Sequence, residues 1–182
     1  MVHFSEIESL RVSMQFLAFS EAYLYSAACL CDVLALSPEE SSFPRGAVVL
    51  SLSFHGIELF LKAAILEKVP THQFGGKAGH DLELLGKKYE KLYPRKQFTF
   101  EIPFRTEEIA LVNPDPRVIE ELNLKITEHK RTNPTDQLYR YPRDIAGKKW
   151  VGFYAFEPKL FAANIAKVQR DVNRVKELIF HD

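Results

Sequence analysis

A chain of 182 residues can build one domain with a substantial core, and 46% hydrophobic with 26% charged residues excludes an intrinsically disordered protein. Lys plus Arg equal Asp plus Glu at 24 each, so no overall field draws the chain to nucleic acid or to an anionic membrane. The charge is uneven along the chain, however. Residues 1–40 carry Arg11 as their one base against Glu6, Glu8, Glu21, Asp32, Glu39 and Glu40, whereas 87–96 and 125–149 are basic. The two basic stretches read either as solvated loops with favourable helix-end charges or as a patch for an anionic partner.

Ser5-Glu6-Ile7-Glu8 has the form of a capping box, and apolar residues from Ile7 to Leu36 follow helical spacing. One long first helix is expected over 5–36, closed by Ser37-Pro38. Gln15, Ser20, Glu21, Ser26 and Asp32 interrupt it, which makes it a poor membrane span. Met1–Leu10 lacks the basic start of a signal peptide, so a cytoplasmic protein is expected. Cys29 and Cys31 form no CxxC pair and are expected to be small core residues.

Pro44 stands where a second helix would begin, and residues 45–68 are apolar on nearly every face, the signature of a central buried helix. Gly75, Gly76 and Gly79 mark a loop. His80 or Asp81 then caps a third helix that runs to about Tyr93 and stops at Pro94. Phe98, Phe100 and Ile102 alternate like a short strand. Asp115-Pro116 starts a helix near 116–129, and 130–149 should be loop. Residues 149–154 could supply a second strand before Glu157-Pro158 opens the last helix, 158–180. The whole is expected to be one mainly α domain over 1–182: an up-and-down helical bundle with a small irregular or β insertion at about 95–155, before the last helix.

Ser51, His55, Glu58 and Lys62 are spaced by four, three and four, which puts them on one face of the apolar second helix. That stripe is either the helix's exposed strip or a polar seam facing another element. An interior imidazole, carboxylate and amine would need company, because an unpaired buried charge costs several kcal/mol, roughly. His80, Asp81, Arg140 and Tyr141 are the candidate partners.

The run FHGIELFLKAAIL, followed by GHDLELL and by LYRYP before a C-terminal helix, resembles the HEPN superfamily of helical-bundle proteins. The residues that carry the resemblance are His55, Glu58 and Lys62, then Gly79, His80, Asp81 and Leu82, then Arg140, Tyr141 and Pro142. It implies a dimer. It also implies either a metal-independent ribonuclease of toxin–antitoxin, defence or RNA-processing systems, or a non-catalytic module that binds RNA, a nucleotide or a protein such as a nucleotidyltransferase.

The family's nuclease motif is an Arg followed by a polar residue and then a His. The nearest match here is Arg174 with His181, where the residue after Arg174 is the apolar Val175. A His could move the ribose 2′-hydroxyl proton and an Arg could stabilise phosphate charge. A binding module is therefore the leading expectation, with His55, Glu58, Lys62, His80, Asp81, Arg140 and Tyr141 as a ligand-binding or structural cluster. A ribonuclease using Arg174 and His181 is the alternative. No zinc, phosphate-loop or dinucleotide signature is present, so neither metal nor cofactor is expected.

Overall fold

The computed structural model describes residues 3, 5–76, 79–102, 115–132, 139–143, 146–149 and 156–180. Among them the protein is mainly α, with six α-helices and no strand: α1 (Ser5–Glu8), α2 (Val12–Leu36), α3 (Phe43–Lys68), α4 (Leu82–Leu92), α5 (Pro116–Thr132) and α6 (Pro158–Ile179). Helices α2 and α3 form a long antiparallel pair, and α6 packs along it.

Proline and carboxylate chemistry sets most of the helix ends. Pro38 follows the last residue of α2 by two, and Pro44 occupies the first turn of α3, where a missing N–H costs nothing. Asp81 accepts hydrogen bonds from the Glu83 and Leu84 N–H groups at 2.9 and 3.0 Å, the N-cap of α4. Asp115 accepts from the Arg117 N–H at 2.8 Å. Glu157 accepts from Lys159 and Leu160 ahead of Pro158, so α6 begins where the Glu-Pro pair places it.

The core is organised around α3. Ile57, Phe60, Leu61, Ala63, Ala64 and Ile65 are wholly buried, and they meet Leu17 and Leu24 from α2 together with Val168, Val172 and Val175 from α6. Gly56 lets α2 come close: a Cβ there would sit 2.8 Å from Leu24 Cγ, and Ser20 donates its hydroxyl hydrogen to the Gly56 carbonyl at 2.7 Å. Helix α4 covers another side of α3, with the Tyr93 hydroxyl donating to the Ala64 carbonyl at 2.9 Å.

Five sequence expectations need correction. The first helix is not continuous over 5–36; it breaks between Glu8 and Val12. Arg11 and Ser13 both reach Glu67, near the end of α3, so the core stops there and a straight continuation of α2 would project past it. At the very start, Glu6 rather than Glu8 reaches back, accepting from the His3 N–H at 3.4 Å.

The strand over 98–102 is absent: Phe98 ends a 3-10 turn, and the residues after it run extended without a ladder partner. Its alternating aromatics serve packing instead. The Phe100 ring stands edge-on to Phe60 at 5.3 Å and to Tyr89 at 5.5 Å, while Tyr89 donates its hydroxyl hydrogen to the Phe98 carbonyl at 2.5 Å. Cys31 is buried and its thiol bonds the Pro158 carbonyl at 3.2 Å, but Cys29, two residues earlier on the helix, is exposed. Finally α5 runs on to Thr132, into the stretch expected to be loop. The strand expected over 149–154 lies, beyond Lys149, outside the described residues.

Candidate functional site

The polar stripe of α3 is interior. Glu58 is 3% exposed and Lys62 6%, one helical turn apart, with Lys62 Nζ 2.6 Å from Glu58 Oε1. The Lys62 ammonium also stands over the Phe74 ring, 5.3 Å from its centre. The pairing follows from i,i+4 spacing, and the burial makes it matter: the carboxylate and the amine neutralise each other where water cannot.

Two distant segments complete the group. The turn before α4 brings His80, whose Nδ1 lies 3.0 Å from the same Glu58 oxygen. That turn is tight because Gly79 packs against Phe74, where a Cβ would meet the Phe74 carbonyl carbon at 3.2 Å. From the other direction comes the 139–143 segment. The Tyr139 ring stacks on Phe54 of α3, 5.6 Å apart and 6° from parallel, which seats the segment on the helix and puts Arg140 Nη2 3.3 Å from His55 Nδ1. His55 is held edge-on by Tyr23 of α2, ring centres 4.5 Å apart.

Glu58 is the electrostatic centre. Burial alone would raise its pKa, but the approaches of His55 and Lys62, then of His80, outweigh burial and hold it at about 2. The carboxylate is therefore ionised at neutral pH.

His55 Nδ1 stands between two claims. It lies 3.8 Å from Glu58 Oε2, too long for a hydrogen bond, and it faces a guanidinium that can only donate. Facing that guanidinium at 3.3 Å, Nδ1 is placed to accept from Arg140. One buried carboxylate is thus balanced by Lys62, and Arg140, exposed beside His55, adds a cation at the surface.

Ser51, Phe54, His55, Glu58, His80, Leu82 and Arg140 enclose about 10 Å³, room for roughly one water molecule. Nothing the size of a nucleotide fits this space, so any larger ligand of the cluster sits at its mouth. The described parts of 139–149 also carry Arg143, Lys148 and Lys149, all exposed, with Asp144 the one acid in that stretch of sequence.

The structure therefore brings together five of the residues singled out from the sequence: His55, Glu58, Lys62, His80 and Arg140. Asp81 is used as a helix cap. Tyr141 is 59% exposed beside Arg140 and does not line the enclosed space. Arg174 donates to the Gln97 and Thr99 carbonyls and to Asp171, 3.0 Å away, and so ties α6 to the 3-10 turn; His181 lies outside the described residues.

Sequence reasoning missed Tyr23, Phe54, Phe74 and Tyr139, the rings that hold the polar groups in place. Phe54 and Tyr139 alone left a trace, as the first residue of the FHGIELFLKAAIL run and the first aromatic of the LYRYP run. Among the described residues no group of His, Cys, Asp and Glu is arranged to hold a metal ion. Compared with known proteins, the chain matches no family model, no curated protein and no solved structure.

Proposed function

We propose that this chain is a HEPN-like helical module that binds RNA without cleaving it, holding a backbone phosphate at the mouth of the Glu58 cluster. The observation that carries the reading is the seating of Arg140 on His55, across 85 residues of sequence, which sets an exposed guanidinium beside the internally neutralised Glu58–Lys62 pair. Arg140 and His80 would face the phosphate, Tyr141 would offer a ring for base stacking, and Arg143, Lys148 and Lys149 would follow the backbone. The exposed positive charge is local, which fits a neutral chain with a basic 125–149 stretch. A ribonuclease built on Arg174 would first have to release the two backbone carbonyls that its guanidinium holds.

Fluorescence anisotropy with a labelled single-stranded RNA tests the reading. Binding should weaken steeply with salt, with log K against log [salt] falling by about 0.7 per phosphate contacted. Arg140→Ala should weaken binding about tenfold or more at unchanged helical content, and the RNA should be recovered intact. No binding at low salt, or equal binding by Arg140→Ala, would remove the proposal; metal-independent cleavage would convert the module into an enzyme.

A further inference from the structure

The end of the bundle where α3, α4 and α6 finish holds a cleft of about 520 Å³, far larger than the space beside Glu58 and within the range that takes a small organic ligand. The last residues of the three helices, Lys68, Leu92 and Ile179, all line it. One wall is apolar and fixed in place. The Tyr93 and Phe98 rings stand 5.3 Å apart, tilted by 55°. Tyr93 is anchored by its hydroxyl on the Ala64 carbonyl, and the Phe98 carbonyl accepts from Tyr89. Arg174 reaches from α6 to the carbonyls on either side of Phe98, those of Gln97 and Thr99. The wall is therefore built before any ligand arrives.

The charged groups of the cleft are arranged differently. Lys68 and Arg95 are both exposed, and neither side chain has a hydrogen bond or an ion pair among the described residues. Glu67, which also lines the cleft, is already taken: it accepts from Ser13 at 2.7 Å and pairs with Arg11 at 3.2 Å. Three helix C-termini, each worth about half a negative charge, would repel an anion. Lys68 and Arg95 set two full positive charges against them, and Arg11 offsets Glu67. The basic stretch 87–96 thus divides. Lys87 and Lys88 are held along α4 by Glu83 and His72, while Arg95 is left free at the cleft.

We infer that this cleft binds a small organic carboxylate with an apolar body, its ring or acyl chain against Tyr93, Phe98, Leu92 and Ile179 and its carboxylate on Lys68 and Arg95. Each half of such a molecule answers one feature of the lining. A compact anion such as phosphate would leave the aromatic wall in water, a neutral apolar molecule would leave both cations unused, and an amine would be set against them. Ten residues of α3, about 15 Å of helix, separate Lys68 from Glu58, so the cleft is distinct from the polar cluster and does not rest on RNA binding.

Isothermal titration calorimetry of the full chain tests this with three probes that share one ring system: 1-naphthoate, 1-naphthalenemethanol and 1-naphthylmethylammonium. Naphthoate should bind one to one and about tenfold more tightly than the alcohol, the gain expected of charge-assisted hydrogen bonds, and the ammonium should bind more weakly than either. Lys68→Gln, Arg95→Gln should bring naphthoate down to the affinity of the alcohol at unchanged helical circular dichroism, since both side chains are exposed. Arg140→Ala should bind naphthoate as the wild type does. Absence of saturable naphthoate binding, tighter binding of the ammonium, or equal naphthoate binding by the double variant overturns the inference. Loss of naphthoate binding in Arg140→Ala would assign the probe to the Glu58 cluster and overturn it as well.

Discussion

Helices α2 and α3 run antiparallel along most of their length, and each is apolar and long enough to cross a membrane by composition; yet 72% of the most apolar stretch of α3 is buried inside the protein, against 33% for α2. The difference comes from the number of neighbours. Helix α3 has α2, α4 and α6 around it, so most of its side chains from Val49 to Leu66 are covered, including Glu58 and Lys62. Among the described helices α2 rests chiefly on α3 and α6, and its outer face is exposed. The same kind of sequence therefore meets two electrostatic regimes. Glu58 and Lys62 must neutralise each other internally, while Glu21 on α2 pairs with Lys176 at the surface, both partners 38% exposed.

The sharpest way to break this contrast is to unpair the interior charge. Glu58→Ala should cost about 3–5 kcal/mol in urea unfolding, because the Lys62 ammonium is then left buried alone. A cost near that of a surface substitution would show that α3 is not interior at its polar stripe.

The acid limb of stability should follow the same residue. The Glu58 carboxyl is held below its ordinary 4.5, at about 2, so its contribution is complete above pH 4.5 and is lost as pH falls toward 2. Wild type should lose stability across that window by more than Glu58→Gln does. Parallel acid titrations of the two chains would refute this.

A smaller effect tests the contact between the two helices. Gly56→Val puts a Cβ 2.8 Å from Leu24 Cγ and 3.3 Å from the Leu24 backbone nitrogen, and should lower stability by about 1–3 kcal/mol in the same assay. Asp81→Ala should cost about 1 kcal/mol by removing the N-cap of α4, and should leave RNA affinity where it was. His80→Ala, next in sequence, should lower RNA affinity instead; equal effects of the two on binding would place Asp81 in the site.

The smallest perturbation reads the two faces of α2 through its own thiols. Cys29, which is exposed, should react with Ellman's reagent while the protein is folded. Cys31 should wait for unfolding, its thiol pushed up to about 11 by burial and then by Asp32 and Glu157. Simultaneous reaction would mean that the buried face of α2 opens.

Much of the architecture was legible in local chemistry. Pro44, the Asp81 cap, the Glu157-Pro158 pair and the apolar run of α3 each announce an element because the signal lies within a few residues of its effect. The stripe Ser51, His55, Glu58, Lys62 was legible for the same reason, as helical spacing. What stayed ambiguous was its direction, since a polar strip on an apolar helix looks the same whether it meets water or another segment. The strand reading of 98–102 went wrong through the same ambiguity: alternating aromatics suit either a ladder or an extended segment lying on Phe60 and Tyr89.

By itself the sequence determined where α3, α4 and α6 begin and end to within about two residues, which helix is apolar all round, and which polar side chains share its one hydrophilic line. Only the tertiary structure decided that this line faces inward, that Arg140 and His80 arrive from far along the chain to meet it, and that Cys29 and Cys31 part ways. The reason is physical: caps and periodicity act over one or two turns of backbone, whereas burial is set by how many other elements surround a helix, a quantity no local stretch of residues contains.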